Sequence, residues 1–401
     1  MTKAALIIGG GVAGCSCAYF LNSKGWETTI VEAEDSLGGL SKTKYYRGHP
    51  YEFGPHVWFW PENDLNDILL GLTEVYEVDR VLYSFGNDAE VSRYPLNMED
   101  IQRRVDYEDI KAELQAHRDE NLNIIPGTMP KIGECTFEEY FKAAVGPTLY
   151  HDYMETYTRK MWGIPGNELT TKMVWADRIR THNSDEPYDP IKRGAESLGT
   201  GMKNLYPKNG WNPVWNKMAA GSRVLLNTRL VVTTGRNLYF DTHLGKLIVN
   251  TDKIDAVIWT LHVDEVTTRT LPANGRLVVP FLFPKERMPS MGTESLHMAD
   301  ECPVTRITYM DHITRYEGPN RLVTMELPGA AAKSGFEFTN QWYHPRCYNH
   351  QTDDAVEQNK QQQENLKREI PNIHFCGRHA EFAYYGMPQV VASAKKLCEV
   401  L

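Results

Sequence analysis

The sequence predicts an α/β fold: a parallel sheet of dinucleotide-binding type, split along the chain, with a helical insertion and an antiparallel β-sheet domain between its pieces. Two observations carry this. A glycine-rich turn lies between two short apolar runs at the start of the chain, and a further strand and helix close it at the far end. The first run is Ala4-Ala-Leu-Ile-Ile8. Gly9-Gly-Gly11-Val12-Ala13-Gly14 follows at once, then the small-residue segment Cys15-Ser-Cys-Ala-Tyr-Phe-Leu21, then Thr28-Thr-Ile-Val31 ending on Glu32. This is a GxGxxG turn inside a strand–helix–strand unit with an acid near the expected spacing. Gly9 allows the tight turn, Gly11 lets backbone approach a pyrophosphate, and Gly14 lets helix and strand pack closely. The helix start, with Val12 and Ala13, offers free N–H groups to phosphate oxygens. Glu32 is placed to accept hydrogen bonds from ribose hydroxyls.

The later elements follow in order. Residues 97–180 read as helical and polar, with helices over Met98 to Leu122, Thr136 to Val145 and Pro147 to Trp162. Residues 170–195 are rich in aspartate and arginine and carry Pro187 and Pro190, so a mobile surface loop is expected at about 165–195. Met202 to Ala220 reads as another helix. Residues 223–260 alternate as strands, and residues 276–327 are again β-rich. Asn372-Ile-His-Phe-Cys-Gly377 reads as a strand ending on glycine. Pro388 then stands where a helix start tolerates proline, in a helix running to Leu401. The dinucleotide domain is therefore expected from residues 1–80, 197–262 and 360–401. The helical substrate domain is expected over 81–196, and the antiparallel sheet domain over 263–359.

Composition narrows the class. The 401 residues are 41% hydrophobic and 24% charged, an ordinary globular balance with room for two or three domains. A net charge of −9 argues against nucleic acid or an anionic membrane as a general partner. An anion site must then be built locally from a few arginines. No signal peptide precedes the first strand, and no apolar run approaches the ~18 residues of a membrane span, so a cytoplasmic protein without membrane insertion is expected. The seven cysteines are scattered and contain no CxxC, which fits reduced thiols and gives no metal site.

Gly38-Gly39-Leu40, soon after the ribose-binding acid, resembles the FAD-binding start of the large flavoprotein oxidoreductases. A second cofactor segment is then expected at Gly377-Arg378 and at Tyr385-Gly-Met387-Pro-Gln389. The helix start there would favour negative charge beside a flavin ring, and so its reduced form.

Five further groupings are Gly54-Pro-His56, Tyr153-Met-Glu-Thr-Tyr157-Thr158-Arg-Lys-Met-Trp162-Gly163, Arg178-Ile-Arg180 with Tyr188, Thr305-Arg306-Ile307, and Gly377-Arg378-His-Ala-Glu-Phe-Ala-Tyr384-Tyr385-Gly-Met387. Taken in order with the glycine motifs, they resemble the UDP-galactopyranose mutase family of bacterial type over nearly the whole chain. The resemblance implies an FAD isomerase that interconverts the pyranose and furanose rings of a nucleotide sugar, in the synthesis of galactofuranose for cell-surface polysaccharide. In that chemistry N5 of the reduced flavin attacks the anomeric carbon and displaces a nucleoside diphosphate, which later returns. It implies Arg180 and Arg306 as the diphosphate pair, since guanidinium forks suit phosphate. It implies Tyr153, Tyr157, Thr158, Trp162, Tyr188, His344 and Tyr384 as substrate contacts, and His56 beside the flavin ring, with proton transfer a further role. NADPH or NADH is the expected reductant, and a homodimer the expected assembly. An FAD oxidoreductase of the amine-oxidase type shares both cofactor segments and is the alternative; a silent nucleotide-sugar binder is a third.

Three positions depart from the family pattern. Phe59 stands where a second histidine is usual. Leu261-His-Val-Asp264 replaces Gly-Pro-Ile-Asp. Tyr343-His344-Pro345 replaces Tyr-Tyr-Pro. A related sugar nucleotide is therefore a live alternative substrate.

Overall fold

A computed structural model describes residues 2–61, 64–171, 191, 202–267, 269–288, 292–333 and 338–401. Arg178, Arg180, Tyr188 and the expected loop beyond Thr171, apart from Ile191, lie outside the described residues.

The strands Arg223–Leu225, Glu27–Val31, Ala4–Ile8, Ala256–Trp259 and Ile373–Phe375 lie side by side in that order, all parallel. They are apolar almost throughout because both faces are covered. The two-residue period of a strand sorts their side chains between two cores. Ala5, Ile7, Ile30, Ala256 and Ile258 face one core, with the helices Val12–Ser23 and Met387–Val400. Leu6, Ile8, Val31, Val257 and Trp259 face the other, with the antiparallel meander Thr228–Thr234, Asn237–Thr242, Gly245–Asn250 and the helix Asp353–Glu369.

A seven-stranded sheet stands beside this unit, in the order Trp342–Asn349, Ala273–Pro284, Asn320–Pro328, Arg306–Tyr309, Ser295–Met298, Leu82–Phe85, Val91–Tyr94. Every pairing is antiparallel except that of Ser295–Met298 with Leu82–Phe85. The last two strands come from the segment expected to be helical from residue 81. Leu82-Tyr-Ser-Phe85 and Val91-Ser-Arg-Tyr94 alternate with period two around a tight turn, so they form a hairpin that widens the sheet.

A second expectation also fails locally. Met202–Pro207 is a strand, not the start of a helix, and it pairs with both Trp58–Pro61 and Val75–Glu77. Pro207 cannot continue a helix, and two waiting strand edges outweigh weak helical propensity. The helix is only Asn212–Met218.

The helical insertion contains Met98–Gln102, capped by Asn97, then Tyr107–Gln115, then Phe137–Val145, whose start is closed by a reciprocal Thr136–Glu139 capping box. Pro147–Tyr150 runs on through a widened π-type turn at His151–Glu155 into Thr156–Trp162, which ends on Gly163 with φ at 79°. In a regular helix Tyr153 and Tyr157 would share a face. The widened turn shifts the phase, so Tyr153 enters the insertion's own core while Tyr157 reaches the sheet at His297.

Gly14 fixes the contact between the first strand and helix. A methyl group there would sit 1.9 Å from the carbonyl oxygen of Gly9. Gly14→Ala is therefore expected to destabilise the protein by about 1–3 kcal/mol and to weaken dinucleotide binding. A thermal melt with and without cofactor checks this; an unchanged midpoint and unchanged binding would contradict the packing described.

Candidate functional site

The glycine turn lies at the carboxyl end of the central strand, where the chain leaves to either side of the sheet, which is the usual place for a ligand in this class of fold. Gly38 has φ at 109° and Gly39 at 56°, and this second turn lies against the first. The N–H of Gly38 donates to the carbonyl of Gly10 at 2.8 Å. A Cβ placed on Gly11 would meet only the Cα of Gly39, at 4.0 Å, so backbone there is bare for a phosphate to approach. The Glu32 carboxylate is held in place by the N–H groups of Gly10 at 2.7 Å and Glu34 at 2.8 Å. Gly377, with φ at 92°, packs so closely on Ala13 that a Cβ would lie 2.6 Å away. The start of the last helix, at Met387, is thus brought beside the first. Bare backbone, an ordered ribose-type acid and a second helix start fit an FAD-sized dinucleotide.

Arg306 is the centre of the adjoining cluster. Its Nε and Nη2 donate to the two oxygens of Glu326 at 2.7 and 2.9 Å. The guanidinium packs on Gly54, where a Cβ would approach Nη2 to 2.9 Å. Glu326 lies in the neighbouring strand directly opposite Arg306 in register, so the sheet itself brings the charges together.

Two further guanidiniums flank the ring of Tyr348. Arg276 lies 4.8 Å from the ring centroid and Arg378 4.9 Å from it. Arg276 is only 1% exposed. It donates to Thr305 Oγ1 at 2.8 Å and to the carbonyl of Met161 at 3.2 Å, and its buried Nε has no partner. Arg378 also lies 4.4 Å from the ring of Tyr384 and donates to the carbonyl of Cys347 at 2.9 Å. Among the described residues neither guanidinium is paired with a carboxylate. Burying an uncompensated cation is costly, so this arrangement suits an anionic ligand. Trp162, Tyr348 and Tyr384 form an aromatic wall with centroids 5.0 to 5.8 Å apart.

The loop that delivers Arg306 is fastened to the helical insertion. Lys160 Nζ donates to the carbonyls of Asp300, Cys302 and Val304, each at 2.8 Å. Burial lowers this ammonium to about 8, against the opposing pull of Asp300.

A set of histidines is kept neutral by burial and neighbouring cations. His56 is lowered to about 4 by burial and then by the charges of Arg306 and Arg378. His262 falls to about 3 by burial and then Arg346, and His344 to about 4, mainly by burial. His262, His344 and His379 lie ring against ring, 4.3 and 6.4 Å between centroids.

Comparison with known proteins places this geometry. A profile for an NAD(P)-binding Rossmann-like domain matches residues 7–70. The profile for UDP-galactopyranose mutase matches residues 152–384, more than half of the chain. The chain belongs to the UDP-galactopyranose mutase family. It is 24% identical over 208 residues to the "Probable UDP-galactopyranose mutase" of Klebsiella pneumoniae, a match covering 49% of this chain and 50% of that protein. The chain thus spans about half the length of that relative. It is 20% identical over 415 aligned positions to the UDP-galactopyranose mutase of Mycoplasma pneumoniae, covering 99% of this chain and 95% of that one. A crystal structure of reduced UDP-galactopyranose mutase superposes with a TM-score of 0.73 at 16% identity, covering 100% of this chain and 96% of that one, which shows a shared fold.

As a member of the mutase family, the chain places its sequence-derived residues unevenly. Arg306, Arg378, His56, Tyr157, Trp162 and Tyr384 come together, while Arg180 and Tyr188 lie outside the described residues. Tyr153 does not join them. Its hydroxyl donates to Asp88 at 2.8 Å and contacts Ser92 at 3.0 Å, in an ionic network with Arg104 within the core of the helical insertion. Thr158 is buried. His344 accepts the N–H of Arg346 at 3.3 Å and faces His379 and Phe53. Gln389 caps the last helix by accepting the N–H of Gly386 at 2.7 Å, and Met387, Leu40 and Tyr385 pack into the core. Arg276, Glu326, Tyr348 and His297 escaped the sequence reading, because a strand position gives no local cue to what lies across the sheet.

Two predictions follow from this arrangement. Each buried neutral histidine has a folded value below that of the unfolded chain, so the unfolded state takes up more protons below pH 6.5. Stability is then complete above about pH 6.5 and falls as pH drops towards about 4. His262→Asn is expected to flatten this acid slope in melts across that window; an unaltered slope would contradict the assignment. Tyr153→Phe is expected to lower stability by about 1 kcal/mol with turnover unchanged, checked by denaturant titration beside an activity assay.

Proposed function

We propose that this protein is a flavin-dependent nucleotide-sugar mutase. It would interconvert pyranose and furanose forms of UDP-galactose or a related sugar nucleotide, with NADPH or NADH as reductant. The observation that supports this most is the pair of guanidiniums of buried Arg276 and partly buried Arg378, without carboxylate partners among the described residues, beside Arg306 and the dinucleotide turn. A redox enzyme acting on an amine has no use for such a cationic hollow, whereas a departing and returning diphosphate needs one.

The dinucleotide would be held by the backbone of Gly9–Gly14 at its pyrophosphate, by Glu32 at its ribose and by Gly377, Arg378 and the start of the last helix at its other end. When bound and reduced, the flavin supplies the nucleophile for the anomeric carbon. The chain's own residues do the rest. Arg276 and Arg378 would neutralise the diphosphate as the glycosidic bond breaks, when negative charge on it grows. Glu326 occupies Nε and Nη2 of Arg306, leaving Nη1 for a phosphate oxygen. Holding the diphosphate in place keeps its return intramolecular. The aromatic wall of Trp162, Tyr348 and Tyr384 would exclude water, which otherwise competes for the sugar carbon. Arg180 is the expected second diphosphate ligand.

The test is to reduce the bound flavin with dithionite, offer a panel of nucleotide-pyranoses including UDP-galactose, and follow products by NMR. A furanose formed only with reduced flavin is expected. Substrate-dependent oxygen consumption without sugar rearrangement would overturn the reading. Arg306→Ala, Arg276→Met and Arg180→Ala should each lower kcat/KM by about 10²–10³-fold with flavin still bound; near-normal turnover in any one would remove that residue from the diphosphate site.

A further inference from the structure

Glu52 is a carboxyl group in an unusual position. It is 0% exposed, immediately after the strand His49–Tyr51 and four residues before His56. Its Oε1 accepts from the Tyr206 hydroxyl at 2.6 Å and from Thr43 Oγ1 at 3.1 Å, and its Oε2 accepts the backbone N–H of His56 at 3.2 Å. No lysine or arginine pairs with it among the described residues. The nearest basic atom is Nδ1 of His56, 3.9 Å from Oε2. That nitrogen is buried and has no hydrogen-bond partner, while the His56 side chain as a whole is 23% exposed. His56 therefore lies beside a buried acid and within the field of the Arg306 and Arg378 charges.

We propose that Glu52 and His56 form a proton-holding pair, in which the buried carboxyl stores one proton and exchanges it with Nδ1 of His56, so that the outer edge of the imidazole can give and recover a proton in the catalytic cleft. The step balances within the pair. The Glu52 Oε2–H bond breaks as an Nδ1–H bond forms, the Nε2–H proton leaves to an acceptor in the cleft, and the return step reverses both. The ring changes tautomer and never becomes a cation. This matters because burial and the charges of Arg306 and Arg378 make an imidazolium there unfavourable, against the opposing pull of Glu326 and the Gly54 carbonyl. Burial also keeps the carboxyl protonated near neutrality, pushing Glu52 up to about 8, and Tyr206 and His56 are the titratable groups in contact with it. The present 3.9 Å separation is longer than a hydrogen bond. Closing it requires a shift of the imidazole towards Glu52, as catalytic hydrogen bonds tighten when a site fills. Glu52 acts through His56 and is a positioning residue in this scheme.

A purely structural Glu52 would only anchor the 52–56 turn. The two roles separate by pH. This inference rests on the mutase reading for its turnover arm, and the other arms are independent of it. In the flavin-loaded protein, wild-type kcat is expected to fall on the alkaline side through about pH 8. Glu52→Gln should lower kcat roughly 10²-fold and lack that limb. Tyr206→Phe removes a hydrogen bond that favours the carboxylate, so it should keep turnover while moving the limb to higher pH. An alkaline limb retained in Glu52→Gln, or unmoved in Tyr206→Phe, would overturn the proposal.

Infrared difference spectra of the same holoprotein should show a carboxylic-acid band that titrates near pH 8, absent in Glu52→Gln. The ¹⁵N signal of His56 Nδ1 should shift at that same pH. A carboxylate already ionised at neutrality, or a His56 signal indifferent to it, would overturn the pair even if no sugar nucleotide is turned over. Failure of every sugar with the infrared and ¹⁵N results as expected would instead count against the mutase reading alone.

Discussion

Arg306 and Glu326 carry opposite charges into the space between two adjacent strands, and most of the site is arranged around them. An ion pair removed from water gains little unless both partners are held in good geometry. Here the antiparallel register sets the two residues opposite one another, and the carboxylate engages two of the guanidinium's donors. Gly54 is bare beneath the guanidinium because any side chain would collide with it. Lys160 holds the preceding loop by three carbonyls and so fixes where that strand begins. The surplus positive charge, from Arg276 and Arg378, is left facing the aromatic wall. The pair thus acts as a fixed reference, and the guanidiniums beside it, unpaired among the described residues, are the groups with something left to bind.

Much of this fold was legible in the amino-acid order. GxGxxG between two apolar runs specifies its own strand, turn and helix, because each glycine meets a local steric demand. The terminal segment at Gly377-Arg378 and Met387 was legible for the same reason. What resisted was anything decided across a sheet. Met202–Pro207 looks helical in isolation and is a strand because two edges await it. Leu82–Phe85 and Val91–Tyr94 lie next to helices in sequence but next to Ser295–Met298 in space.

The candidate site shows the same division. Arg306 and Tyr384 sit in recognisable motifs. Tyr153 also does, and a widened helical turn directs its hydroxyl to Asp88 and Ser92. Arg276 stands in a mostly apolar strand, where a buried arginine is the anomaly, but only the packing around it shows that it has no carboxylate partner among the described residues.

The parallel sheet has a consequence for how the chain is made. Its first two strands are synthesised long before its edge strand Ile373–Phe375 and covering helix Met387–Val400, with the insertion and the large sheet in between. Lys24 near the first helix even bonds the carbonyls of Cys398 and Glu399. On the ribosome, the nucleotide-binding half must wait with its apolar strands partly uncovered while the insertion and the large sheet emerge. Contacts so distant in sequence form slowly. The early strands are therefore the segment most in need of protection from misassociation during synthesis, although they become among the most deeply buried parts of the finished molecule.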